Sequence, residues 1–479
     1  MRLRLFSALA VLLCTLGLVR PADAYSVLTH EQLIDLTWQS SIVPLLLSRY
    51  PTLTPAQLEH ARAYAYGGCV IQDIGYYPLG DAFISDLTHY VRTGDFVVNL
   101  FRDAGNADEL AFAAGALSHY IGDSNGHAGA TNLAVPIEFP KLQRKYGNTV
   151  NYAQGEHQHV QTEFAFDINE IAHRRLAPVH YQRHVGLEIP TRQLALAFYQ
   201  TYGLQGGFAV GRKSRINASA YRFAVHHFIP RIAYAATLLH RRHEPADVPS
   251  AELQQLEAEI ATIDQENGWE AYRRKPGLGT YSLAGLLFIL PKLGPIKLVA
   301  IKGPTPQTEA DYIHSVTQSA AELGRDLHRF TPPPAIRPAA AAEAAAADIH
   351  SDPPPSALLP AKTAAEPATG SAASAHPLPN RDLDTGKPVR PAGYPLTDQT
   401  YATLTHRLAA NPKLPVSPGI KESILLYYSD LNLPFATRQK PQAWATLQAD
   451  LITLRSMPTS TEPAALATYD DDATSPPDH

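Results

Sequence analysis

Histidine and carboxylate recur four residues apart in two segments of this chain, and that spacing stacks side chains on one face of a helix. In His119-Tyr-Ile-Gly-Asp123-Ser-Asn-Gly-His127, three potential ligands fall within nine residues, directly after the apolar stretch Leu110 to Leu117. His119 and Asp123 can aim an imidazole and a carboxylate at one point, and Gly126 gives the chain freedom to bend so that the His127 ring joins them. A second segment, Glu156-His157-Gln-His159-Val-Gln-Thr-Glu163-Phe-Ala-Phe-Asp167, repeats the spacing with His159 and Glu163, while His157 falls on a different face. Upstream, Asp73 lies in Gly67-Gly-Cys-Val-Ile-Gln-Asp73-Ile-Gly-Tyr-Tyr-Pro78, and His89 in Ser85-Asp-Leu-Thr-His89. Near the start stands Tyr25-Ser-Val-Leu-Thr-His30. Cleavage after Ala24 would free the α-amine of Tyr25, and an amine with a pKa of roughly 8 can turn neutral and bind a metal. Each cluster alone could be an ordinary polar helix face. Three potential ligands in nine residues after a buried stretch favour a metal, and histidine with carboxylate suits zinc.

These donors need helices to hold them. Apolar spacing and breaker positions predict helices over 31–47, 55–66, 108–123, 156–173, 192–202 and 251–272, with almost no alternating strand pattern, so the class is all-α. Pro78 should open the helix that carries His89, with Asp73 at the end of the preceding one. Tyr281 to Leu290 is apolar and followed by Pro291, Lys292, Pro295 and Lys297. It reads as a buried helix turning at the prolines, in preference to an interfacial membrane contact, and ten residues are too few to span a bilayer.

Composition bounds the rest. Lys+Arg 40 against Asp+Glu 45 leaves a net charge of −5, with no basic run to advertise nucleic acid as a partner. Twenty histidines stand beside 2 cysteines, which excludes a disulfide scaffold and a cysteine-ligated zinc finger. Residues 1–24 have the charged, apolar and small-residue regions of a signal peptide, so the mature chain would begin at Tyr25 and be secreted or periplasmic. The 47 residues 331–377 hold 17 Ala and 10 Pro and read as a disordered linker. The expected organisation is therefore a large helical domain over 25–330, that linker, a small helical region over 378–457 (helices over 396–408, 421–431 and 443–454) and a disordered tail over 458–479. In the strip Leu378-Pro-Asn-Arg-Asp-Leu-Asp-Thr-Gly386, the residues Arg381, Asp382 and Asp384 read as a solvated loop.

Taken in order, Tyr25, His30, Asp73, His89, His119, Asp123, His127, His159 and Glu163 resemble the ligand set of the bacterial zinc-dependent phospholipase C family. That family is related to the single-strand-specific zinc nucleases. The resemblance is close from Tyr25 to about Asp167, and it rests on five short motifs in the same order. It implies an all-α domain with up to three zinc ions. One would be held by Asp73, His89, His119 and Asp123, a second by His127, His159 and Glu163, and a third by the Tyr25 terminus, His30 and a bridging Asp123. Here tyrosine stands where well-known members start with tryptophan, and the backbone amine and carbonyl do the binding. The implied activity is phosphodiester hydrolysis, with metal-activated hydroxide attacking phosphorus and Asp73 as the catalytic residue, either ligand or general base. The expected protein is an exported monomeric hydrolase acting on a phospholipid or another phosphodiester, in transient contact with a membrane surface. Two alternatives stay open: a nuclease of the same architecture acting on single-stranded nucleic acid, and a non-catalytic helical domain stabilised by metal.

Overall fold

The computed structural model describes residues 26–77, 80–204, 212–240, 249–289, 301–330 and 378–460. The expected leader, linker and most of the tail, and Tyr25 itself, lie outside the described residues. The class is all-α: among the described residues the strands are a single antiparallel pair, Arg381–Asp382 (β1) with Lys387–Pro388 (β2).

The helices that matter for the site are α1 (Val27–Thr37), α2 (Pro55–Gly68), α3 (Ala82–Tyr90), α4 (Thr93–Asp103), α5 (Ala107–Gly126) and α6 (Tyr152–Ala172). Several start where a local side chain caps the chain's free N–H groups. Thr54 and Gln57 form a reciprocal capping box at α2, the Asp81 side chain accepts from Phe83 N–H at α3, and Asn106 accepts from Glu109 N–H at α5. The α3 start therefore lies at Asp81–Ala82, a few residues beyond the predicted Pro78. Asp73 lies on a separate 3₁₀ turn, Ile71–Gly75, after α2 ends.

α5 runs through the centre and is buried almost throughout. It crosses α2 at a close backbone approach. A Cβ added to Gly115 would stand 2.2 Å from the Ala65 carbonyl oxygen, and one on Gly68 would stand 2.2 Å from that of Phe112. Only glycines allow the two helices to meet so closely, and the contact fixes the end of α2 against the part of α5 that carries the donors. The other helices wrap this pair: α7 (Thr191–Tyr202), α8 (Ile229–His240), α9 (Leu278–Ile289) and α10 (Pro306–Phe330). α10 locks back onto α4 through a Phe101–Phe330 ring stack at 3.8 Å. The predicted helix over 251–272 is broken at Gly268, whose φ of 61° ends Ala251–Asn267 and starts a short turn at Trp269.

The C-terminal helices α11 (Pro395–Ala409), α12 (Pro418–Tyr427) and α13 (Pro441–Ser456) share this core. Leu378, Leu383, Tyr401, Ile424 and Leu451 belong to the same buried apolar cluster as Leu87, Tyr90 and Phe96. Tyr401 stacks on Tyr427 at 3.9 Å, and Tyr427 O–H donates to Asp398 at 2.5 Å. The strip predicted to be a solvated loop is in fact packed: Asp382 and Asp384 are 1% and 3% exposed. Its backbone is threaded along α3 and α4, with Tyr120 O–H donating to Pro379 O and Leu383 N–H to His89 O.

α9 departs from expectation in the other direction. Only Ala284 and Leu287 are buried, against the helices that carry Leu28 and Phe164, while Leu278, Tyr281, Phe288 and Ile289 stand more than half exposed. A helix of this length meets the core along one stripe, and the sequence of α9 is apolar all round, so the rest of its surface faces out.

Candidate metal centre

Four of the sequence-predicted donors converge at one point. His89 Nε2 lies 3.2 Å from His119 Nε2, 3.4 Å from Asp73 Oδ1 and 3.2 Å from Asp123 Oδ2. His119 Nε2 lies 3.6 Å from Asp73 Oδ1 and 3.2 Å from Asp123 Oδ2. Donors around a tetrahedral zinc at its usual bond lengths stand about 3.3 Å apart, so these five distances are of the size found between zinc ligands, and Asp73, His89 and His119 form one group that could hold an ion. The other Asp123 oxygen, Oδ1, is 3.3 Å from His30 Nε2, and the His30 ring stacks on His119 at 4.2 Å. One carboxylate thus faces two groups of imidazoles, as a bridging ligand does.

A second group stands beside it. His159 Nδ1 is 3.1 Å from Glu163 Oε1, and His127 Nε2 is 3.9 Å from the same oxygen. Gly126 keeps helical angles (φ −65°, ψ −45°), so the bend predicted there does not occur. A π turn over His127–Thr131 reorients the His127 ring instead, adding a residue to the helical repeat. His157 is exposed and takes no part. Tyr25 cannot be placed, being outside the described residues.

The ring nitrogens that face away from these points decide what can sit between them. His89 Nδ1 lies 2.7 Å from Ser85 O, His119 Nδ1 3.0 Å from Cys69 O, His127 Nδ1 3.0 Å from Leu383 O, and His159 Nε2 3.1 Å from Val150 O. A carbonyl only accepts, so each of these nitrogens carries the hydrogen, and in a neutral ring the opposite nitrogen is a bare lone pair. With the rings neutral, four lone pairs point at carboxylate oxygens and at one another inside a site where every donor is at most 2% exposed. A cation placed between them would be met by lone pairs and carboxylates on every side. Both Asp123 oxygens, His127 Nε2 and Glu163 Oε2 have no hydrogen-bond partner, which fits metal ligands and is costly for anything else.

Electrostatics agree. Burial pushes the His127 pKa down to about 4, and burial followed by His127 pushes His159 well down, which keeps both rings in the neutral, ligating form. Burial and the neighbouring carboxylates Asp123 and Asp73 push Glu163 well up in the metal-free protein. In the metal-free cage burial opposes both charges, yet the Asp123 and Asp73 carboxylates raise His119, and the charge on His119, with His30 and His89 beside it, holds the Asp123 carboxyl well below its ordinary value; zinc would take the place of that proton.

Residues 29–205 match the family model described as zinc dependent phospholipase C. The match covers under half of the chain, and it contains every described donor named above. Its family is one of phosphodiester hydrolases, so the region is a zinc-dependent, phospholipase C-like enzyme domain whose cofactor is zinc. Comparison with curated proteins and with solved structures gave no match.

Several residues that serve the site were not singled out from the sequence. Asp167, four residues beyond Glu163 on α6, accepts from Leu28 N–H, Thr29 N–H and the Thr29 hydroxyl. A carboxylate at the start of α1 satisfies its free N–H groups and its dipole, and so sets the position of His30 one residue on. The repeat His159, Glu163, Asp167 was the available signal. Asn132, Tyr90 and Leu383 left no such signal, because each acts through a contact distant in sequence, and Asp384 was read as part of a solvated loop.

Proposed function

We propose that the chain is an exported zinc phosphodiesterase of phospholipase C type, secreted or periplasmic after removal of residues 1–24, that hydrolyses a phospholipid on the glycerol side of its headgroup phosphate. The convergence of four imidazole lone pairs on Asp73, Asp123 and Glu163 is the observation that carries this reading.

Asp73, His89, His119 and Asp123 would hold one ion, His127, His159 and Glu163 a second, and the Tyr25 terminus with His30 and Asp123 a third. Bound zinc supplies Lewis acidity, making hydroxide available from water near neutral pH and offsetting charge at the phosphodiester. Asp73 takes the proton of the attacking water at a carboxylate oxygen. The water oxygen bonds to phosphorus, the bond to the glycerol oxygen breaks, and that oxygen takes up the proton that Asp73 gives back and leaves as the alcohol. The carbonyls of Ser85, Cys69, Leu383 and Val150 keep the rings fixed while charge moves.

Contact with the lipid surface would run through α9. Its exposed Leu278, Tyr281, Phe288 and Ile289 form an apolar face on a helix packed beside Leu28 and Phe164, which neighbour the donors His30 and Glu163. Among the described residues no helix is long and apolar enough to cross a membrane, and we propose a monomer that touches the surface transiently.

The test is release of phosphorylated headgroup from phospholipid vesicles, and of nucleotides from single-stranded DNA, each with and without chelator. Chelator-sensitive headgroup release is expected. Nucleotide release alone would replace the lipid reading with a nuclease, and no turnover with zinc demonstrably bound would leave a metal-stabilised, non-catalytic domain.

A further inference from the structure

Four of the site's outer contacts come from outside the region that matches the family. The turn Asp382-Leu383-Asp384, on the C-terminal side of residues 331–377, lies directly against the donors. Leu383 O accepts from His127 Nδ1, and Leu383 N–H donates to the carbonyl of His89 at 3.0 Å. Asp384 O accepts from Asn132 Nδ2 at 2.7 Å, which turns Asn132 Oδ1 toward His159 Nε2 at 2.8 Å. The Asp384 carboxylate accepts from Tyr90 O–H on one oxygen, while the other, Oδ1, is buried without a hydrogen-bond partner 3.8 Å from His127 Nδ1. One turn therefore touches two histidines directly and a third through Asn132, on separate parts of the fold.

The turn is itself held from both sides. Asp382 accepts from the Thr397 hydroxyl at the start of α11 and from Thr385 N–H. Gly386 adopts φ 66°, and a Cβ there would lie 2.3 Å from Ser124 O on α5, so only glycine lets the hairpin close this tightly on the donor helix.

We propose that this turn is the outer shell of the His127, His159 and Glu163 metal site, with Asp384 as its positioning carboxylate. The Leu383 carbonyl fixes which nitrogen of His127 carries the hydrogen, and the Asp384 carboxyl stands behind the same ring, 3.8 Å from Nδ1, where with zinc bound its ionised form would strengthen the opposite nitrogen as a ligand. Asn132 relays the turn's position to His159. The C-terminal region then serves as part of the metal centre, and the region 29–205 is incomplete without it. This rests on the zinc reading above.

The experiment is competition of the full-length chain against a chromophoric zinc chelator, with melting of the metal-free protein recorded in parallel. His127→Ala identifies the binding class that belongs to this site. In that class Asp384→Asn should bind zinc about 10–100-fold more weakly, Asn132→Ala should weaken the same class, and Asp384→Glu should recover part of the loss. The other class and the melting of the metal-free protein should stay at the wild-type level, and cobalt substituted into Asp384→Asn should show an altered visible spectrum. Wild-type affinity in Asp384→Asn would overturn the proposal, as would equal weakening of all classes together with lower metal-free melting. A wild-type chain that binds no zinc would instead defeat the underlying metal reading.

Discussion

The two donor groups are made of the same residue types and lie side by side, but they are supported differently. In the cage of Asp73, His89, His119 and Asp123, the outer contacts are near at hand: Ser85 O on the same helix as His89, and Cys69 O at the end of α2 for His119. In the group of His127, His159 and Glu163, one outer contact is local, Val150 O for His159, but the others run through Leu383 and through Asn132 to Asp384, more than 200 residues away. A metal site's inner ligands can thus be contiguous in sequence while the contacts that set their tautomers are not. The first group stands on the packing of α2 against α5. The second stands on the C-terminal region closing over it.

The largest effect should come from the residue the two sides share. Asp123→Ala removes a carboxylate that faces His89 and His119 with one oxygen and His30 with the other, so metal analysis should show loss of roughly two ions and activity at background. Full zinc content in that variant would refute the bridge. Next, Asp384→Asn separates the two groups, weakening one by about 10–100-fold and sparing the cage.

Gly115→Ala strikes the cage from its own side. The added methyl meets the Ala65 backbone, so α2 must shift and carry Cys69 O away from His119. Chemical denaturation should show a loss of about 1–3 kcal/mol, with weaker zinc in the class that Asp384→Asn leaves alone. Unchanged stability would mean that the helix contact yields without strain.

The smallest effect belongs to Glu138, which accepts from the Thr162 hydroxyl beside Glu163. Burial raises its pKa from 4.5 to about 7, against the pull of Thr162 and Lys302. The folded state then holds a proton that the unfolded state has released, so stability falls as pH rises from 4.5 towards 7. Glu138→Gln should remove that fall, a gain of about 1–2 kcal/mol at pH 8 relative to pH 5 when melting is compared with wild type. Parallel pH profiles for the two proteins would contradict it.

The inner donors were legible because helical spacing is local. His119 with Asp123 and His159 with Glu163 announce a shared face at i, i+4, and the family resemblance joined them to Asp73, His89 and His30. The reorientation of His127 was expected, but from Gly126 where a π turn performs it. The Asp382–Asp384 turn was hidden for a physical reason. Two acids in a turn-rich strip carry no periodic signal, and what buries them is a hairpin pressed onto α5 and α3, which only tertiary contacts reveal. The α9 helix misled in the opposite sense, since apolar residues on every side do not tell which side the core will cover.

The most direct measurement is the zinc content of the purified, processed chain alongside its chelator-sensitive hydrolysis of phospholipid. The account predicts at least two tightly bound zinc ions, up to three when the chain begins at Tyr25, with headgroup release that disappears on chelation and returns with zinc. Phospholipid hydrolysis that persists in a chain stripped of zinc, or a fully folded chain that takes up none, would contradict it.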